Sequence, residues 1–115
     1  SSPDATADAA HNLAGRDGVE VVRSTIRRWR PVPAEVVVAD PPRAGLGREG
    51  VERIVATDAA AVVLVSCDAG ALGRDAGLLV EAGYHLVRAR VLGAFPQTPH
   101  VEVVTLLVRD PERAR

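Results

Sequence analysis

Two unbroken apolar runs of strand length constrain this chain most. Glu35-Val-Val-Val-Ala39 and Ala59–Ser66 (AAAVVLVS) show no alternation of polar and apolar residues. Such runs fit strands covered on both faces, as in parallel sheets. Between them, Arg48–Thr57 carries Val51, Ile54 and Val55 at helical spacing. After the second run, Asp68 can cap a helix over Gly70–Ala82, with Leu72, Leu79 and Val80 inward and Gly83 closing it. Strands alternating with helices imply right-handed crossovers and a mostly parallel α/β sheet.

Tyr84–Leu92 reads as a third strand and Val101–Val108 as a last one. Only the eight residues Gly93–His100 join them, whereas parallel neighbours need about a dozen or more. The last strand is therefore expected to run antiparallel. Upstream, Ser2-Pro3-Asp4 has the residues of a helix start, and Gly15 ends that helix. Val19–Arg23 reads as a short strand, and Ser24–Arg30 as one or two helical turns stopped by Pro31 and Pro33. No repeat, linker or low-complexity tract is visible.

This topology collects three residues at one sheet edge. Asp40 follows the first apolar run and Cys67 the second, while Glu102 sits at the start of the antiparallel strand. Ligands of open α/β sheets bind off the carboxyl ends of the strands. Asp40, Cys67 and Glu102 are thus expected to share one cleft.

Length and composition exclude several classes. At 115 residues, 1–115 is one small domain. A single cysteine excludes an internal disulfide framework, a multi-thiolate zinc site and an iron–sulfur cluster. No apolar run approaches the roughly 20 residues of a membrane span. The N-terminus lacks the basic and apolar regions of a secretory signal, so the cytoplasm is the expected location. A net charge of −1 exerts no global pull on nucleic acid. The absence of methionine predicts a fragment or a processed product.

Each candidate residue has two readings at this point. Cys67 lies between a strand and a helix start, where the helix dipole favours a nucleophilic thiolate and the neighbouring Asp68 opposes it. Its other reading is a small buried apolar residue. Asp40-Pro-Pro-Arg43 is either a rigid loop presenting a carboxylate or a strand terminator with a solvated arginine. Glu102 is either a general base or an exposed strand residue. His100 reads as a loop residue rather than an acid or base. Gly45-Leu-Gly-Arg-Glu-Gly50 matches G-x-G-x-x-G, but Asp40–Ala44 separates it from the strand, so the dinucleotide turn is missing. Arg23, Arg27, Arg28 and Arg30 surround Trp29 and read as a solvated face rather than a phosphate site.

Three segments together point to a family. Val38-Ala-Asp-Pro-Pro-Arg-Ala-Gly-Leu46 resembles the DPPRxGL motif of bacterial RNA uracil-5-methyltransferases. Leu64-Val-Ser-Cys-Asp-Ala-Gly-Ala-Leu-Gly-Arg-Asp75 is similar to their Y-V-S-C-N-P-x-T-L-A-R-D segment. Phe95-Pro-Gln-Thr-Pro-His-Val-Glu102 is similar to their F-P-Q-T-x-H-V-E segment. The order and spacing of the three agree with the family.

The resemblance implies a partial Rossmann-like class I methyltransferase sheet, mostly parallel with an antiparallel last strand and helices on both faces. It implies Cys67 as nucleophile, Glu102 as base and Asp40 as a residue binding S-adenosylmethionine. The implied activity is methylation of carbon 5 of a uridine in transfer or ribosomal RNA. The family's Asn-Pro after the cysteine is Asp68-Ala69 here, and its Asp-Met before F-P-Q-T is Gly93-Ala94. The first two strands of the full sheet, and most of the S-adenosylmethionine site, are expected upstream of Ser1. The chain alone is then expected to be inactive and to self-associate through exposed sheet edges. Two alternatives stand beside this one: a class I methyltransferase acting on an exocyclic amine, and a non-catalytic domain for RNA binding or subunit contact.

Overall fold

The structure, a computed structural model, describes residues 22, 24–93 and 102–110. The chain runs β1 (Val36–Ala39), α1 (Gly47–Ala56), β2 (Ala61–Ser66), α2 (Ala69–Glu81), β3 (His85–Leu92) and β4 (Glu102–Val108). The expected helix at Ser2–Gly15 and the Gly93–His100 loop beyond Gly93 lie outside the described residues, as does the Val19–Arg23 strand apart from Val22. Ser24–Arg30 forms one turn, in which Arg28 and Trp29 N–H groups both donate to the Thr25 carbonyl.

The four strands form one sheet in the order β1-β2-β4-β3. β1 and β2 are parallel, and β4 is antiparallel to both β2 and β3. The antiparallel last strand follows from the short link after β3. That link also lets β4 enter between β2 and β3 instead of adding outside them.

Local chemistry sets the helix limits. In α1, Val51 and Ile54 are buried and Val55 packs partly beneath them. Glu49 in the first turn and Arg53 in the last match the helix dipole. Thr57 ends the helix by donating its hydroxyl to the Ile54 carbonyl, and Asp58 takes a left-handed φ of 58°. Asp68 caps α2 as expected, its carboxylate accepting from the Gly70 N–H at 2.9 Å. The far end of α2 is a Schellman turn: Tyr84 N–H donates to the Leu79 carbonyl and Gly83 N–H to that of Val80, with Gly83 at φ 108°. Leu72, Ala76 and Leu79 form the inward stripe of α2. Val80, expected inward, is half-exposed because it falls one residue beyond that stripe.

Both helices cover the same face of the sheet. Their apolar stripes meet Val62, Leu64, Tyr84 and Leu107 in one core. Successive right-handed crossovers in one direction place their helices on one side. The opposite face bears Val36 and Val38 exposed, and among the described residues no helix covers it. The unbroken apolar runs therefore have one face packed, while the other face meets no described partner.

The amino-terminal end of β2 is stapled shut. Tyr84 is buried and donates its hydroxyl to the Ala59 carbonyl at 2.6 Å. Arg109 stacks over the Tyr84 ring at 5.1 Å, pairs with Asp58, and donates its backbone N–H to the Ala60 carbonyl. Thr105 is also buried, but its hydroxyl has no hydrogen-bond partner. Tyr84→Phe leaves a buried carbonyl unpaired and is expected to cost about 1–3 kcal/mol. Thr105→Val replaces an unpaired hydroxyl by a methyl group and is expected to stabilise by about 1 kcal/mol. Denaturant unfolding of the two variants measures both, and the signs must be opposite.

Candidate active site

The opposite edge of the sheet, off the carboxyl ends of β1 and β2, holds the three expected residues. Asp40 follows β1 and is exposed. Cys67 follows β2 and is an exposed free thiol, so the buried-apolar reading does not hold. Glu102 begins β4, exposed and paired with Leu92 of β3. Ser66 pairs with Val103. The next residues along that register are Cys67, just past the end of β2, and Glu102, the first of β4, which stand at neighbouring strand ends. Ala39 pairs with Leu64, so Asp40 stands one strand over, level with Val65 and two residues short of Cys67. A carboxylate, a thiol and a second carboxylate thus occupy three adjacent strand ends. The Asp68 carboxylate beside Cys67 is committed to capping α2.

Asp40 opens onto a groove of about 560 Å³ along the edge of β1 that no described strand pairs with. Trp29, Val38, Pro41 and Leu46 give it apolar walls. The turn that carries Trp29 meets α1 through the solvated Arg27–Glu49 ion pair at 2.9 Å and through Arg53, which donates to the Arg27 carbonyl at 2.7 Å. Arg27 is thereby engaged with α1, while Arg28 and Arg30 are exposed. Arg23 and His100 lie outside the described residues.

The segment after Asp40 is tied to α2 by residues to which sequence reasoning gave no role. Leu46 at the start of α1 has no side-chain cap. Instead Asp75, 1% exposed on α2, accepts the Leu46 N–H at 2.7 Å and the Gly47 N–H at 3.1 Å. A carboxylate there meets the positive end of the α1 dipole and its unpaired N–H groups. Arg74 flanks Asp75 at 3.2 Å and donates to the Ala44 carbonyl. Gly45 takes φ 82° through this contact, and a Cβ on it would lie 2.5 Å from the Asp75 carboxylate. The available signal was a carboxylate on the apolar stripe of a helix, where an acid needs partners.

This arrangement also disposes of the G-x-G-x-x-G match. The N–H groups after Gly45 that would meet a phosphate are already bonded to Asp75. Among the described residues no group of three or more His, Cys, Asp or Glu is placed to hold a metal ion. None of their helices is long and apolar enough to cross a membrane.

No protein-family model matches the chain. An uncharacterised RNA methyltransferase of Streptomyces coelicolor is 40% identical over 107 residues, covering 90% of this chain and 23% of the relative. One of Nitratidesulfovibrio vulgaris is 46% identical over 85 residues, covering 74% of this chain and 18% of the relative. The crystal structure of Pyrococcus abyssi tRNA (uracil-54, C5)-methyltransferase, in complex with S-adenosyl-L-homocysteine, superposes with a TM-score of 0.77 at 32% identity. That match covers 94% of this chain and 27% of the neighbour. The chain is a homologue of the RNA methyltransferases. It spans under a third of the length of each of these methyltransferases. A protein structure from Thermoplasma acidophilum, with a TM-score of 0.63 at 16% identity, shares the fold alone. The methyltransferase fold expected from the three motifs is thus present as a mixed four-stranded sheet, but its two described helices cover one face where helices on both faces were expected, because successive crossovers in one direction put them on the same side.

The two glycines of the loop separate backbone strain from crowding. Gly47 also has positive φ, at 70°, but nothing lies within 4 Å of an added Cβ. Gly47→Ala is expected to cost about 1–2 kcal/mol, the penalty for a left-handed alanine. Gly45→Ala carries the same penalty and also displaces the Asp75 carboxylate, for a total of about 3–5 kcal/mol once two charged hydrogen bonds are weakened. Thermal unfolding of both variants checks the order.

Proposed function

We propose that this segment carries the nucleophile and base of an enzyme that methylates carbon 5 of uridine in transfer or ribosomal RNA, with S-adenosylmethionine as methyl donor. The observation that carries the reading is that the exposed Cys67 directly follows Ser66, whose partner Val103 directly follows the exposed Glu102, with Asp40 at the end of the neighbouring strand β1. The Pyrococcus neighbour, a tRNA uracil C5 methyltransferase, supports the choice of target atom.

The residues fit such a donor. Asp40, fixed by Pro41 and Pro42 at the end of β1, offers a carboxylate to a cationic molecule. The apolar groove beside it suits the uncharged parts. When bound, S-adenosylmethionine supplies an electrophilic methyl group on a sulfonium centre. The rest of the chemistry belongs to the protein.

Carbon 5 of uracil is a weak nucleophile. The Cys67 thiolate adds through Sγ to carbon 6, and the electron pair of the 5,6 double bond moves onto O4 as an enolate. Return of that pair lets carbon 5 form its bond to the methyl group, whose bond to the sulfonium sulfur breaks with the electron pair left on that sulfur. The Glu102 carboxylate then takes the proton from carbon 5. The double bond re-forms, and the Cys67 thiolate leaves. One proton is lost and one methyl group gained at carbon 5; the thiolate is regenerated and the proton remains on Glu102. The target base must leave its stack to reach an edge of this kind.

RNA containing 5-fluorouridine tests the scheme in the full-length protein with S-adenosylmethionine. Fluorine cannot leave carbon 5 as a proton does, so the Sγ–carbon 6 bond persists after methylation. Peptide mass spectrometry is expected to place the adduct on Cys67, and Cys67→Ala is expected to abolish both adduct and methyl transfer. Glu102→Gln is expected to accumulate the methylated adduct even on ordinary uridine. Methyl transfer without any adduct contradicts the scheme and favours an amine-methylating enzyme. Absence of both favours a non-catalytic RNA-binding domain.

A further inference from the structure

We infer that Arg74 and Asp75 are positioning residues, which fix the Asp40 loop relative to Cys67 and thereby set the affinity for the methyl donor. The inference rests on the methyltransferase reading above. Pro42, Arg43 and Ala44 are exposed, so little packing locates this stretch of the loop. Within it, one backbone bond closes a turn, from the Gly45 N–H to the Pro42 carbonyl at 2.7 Å. Its start is fixed by β1. Its end is fixed by Asp75, which accepts from Leu46 and Gly47, and by Arg74, which donates to Ala44.

Both residues stand on α2, whose first residue, Ala69, lies just beyond Cys67. A rigid helix of 13 residues thus joins the thiol at one end to the clamp on the Asp40 loop. The donor loop and the nucleophile are connected twice, through the β1–β2 pairing and through α2. Because the sheet route fixes only Asp40's own strand, the course of Pro41 to Gly45 depends on the clamp. Without it, the loop keeps its attachment to β1 but loses a defined approach to the donor.

The side chains differ in a way that makes the inference testable. Asp75 is buried, whereas the Arg74 side chain is 49% exposed. Arg74 can be changed without opening the core. In the full-length protein, Arg74→Gln is expected to weaken S-adenosylmethionine binding about tenfold by calorimetry, the loss of one charge-assisted hydrogen bond. Its thermal unfolding midpoint is expected to stay within a few degrees of wild type. Arg74→Lys, which keeps a donor for the Ala44 carbonyl, is expected to recover part of the affinity. Asp75→Asn keeps one acceptor oxygen and is expected to lower both affinity and kcat further. Should Asp75→Asn fail to fold, Arg74→Gln decides alone.

A merely structural role would lower the folded fraction and leave the affinity of the folded protein unchanged. Wild-type binding together with unchanged affinity in folded Arg74→Gln overturns this inference and leaves the functional reading standing. A wild-type protein that binds no S-adenosylmethionine overturns the functional reading and this inference with it.

Discussion

β4 pairs antiparallel with β2 on one side and with β3 on the other, and the site depends on that placement. A parallel last strand would begin at the opposite edge and carry Glu102 a strand length from Cys67. At about 3.4 Å per residue, the seven residues of β4 span about 20 Å, far beyond proton transfer. The reversal follows from chain length alone, since the link after β3 is too short for a crossover. Two groups distant in sequence thus arrive at neighbouring strand ends without any direct bond between them.

The two edges of the sheet do different work. At the amino-terminal end of β2, Tyr84, Arg109 and Asp58 join hydroxyl, guanidinium and carboxylate to the backbone at Ala59 and Ala60. The Arg109–Asp58 pair is largely solvated and adds little by itself. Tyr84 contributes more, because it buries a ring and satisfies a buried carbonyl. At the carboxyl-terminal edge, Asp40, Cys67 and Glu102 are all exposed. What order exists there is imposed from below, by strand register and by Asp75 acting across from α2 to α1. A buried carboxylate is costly unless fully bonded, and this one meets two backbone N–H groups and a guanidinium.

Much of this was legible in the residues. Short apolar runs, helical spacing in 48–57 and the Asp68 and Gly83 caps located β1, β2 and both helices to within about two residues, as hydrogen-bond-defined ends allow. Loop length revealed the direction of β4, and topology then predicted which residues share an edge. Three features were not legible. Val80 lies too close to the α2 stripe for periodicity to tell its side. The end of β2 at Ser66 was marked by the apolar run, but whether the next residue, Cys67, is covered depends on packing that no local pattern encodes. The partnership of Asp75 with Leu46 and Gly47 joins residues 28 or 29 positions apart, and no local pattern encodes it. The motif around each partner was visible; their contact is tertiary.

The central claim is that strand register brings residue 102 face to face with Cys67. Cross-linking tests it directly. Cys67 is the one cysteine of these 115 residues, so Glu102→Cys creates a defined pair within them. Facing Cα atoms about 4.5–5.5 Å apart fall within disulfide range. Mild oxidation of the Glu102→Cys variant should therefore yield a rapid intramolecular disulfide, read as a loss of two thiols in the monomer. Val104→Cys, set opposite Val65, should leave its thiols free or cross-link only between molecules. Equal reactivity of the two variants, or no intramolecular bond at position 102, would contradict the register on which the account of the site rests.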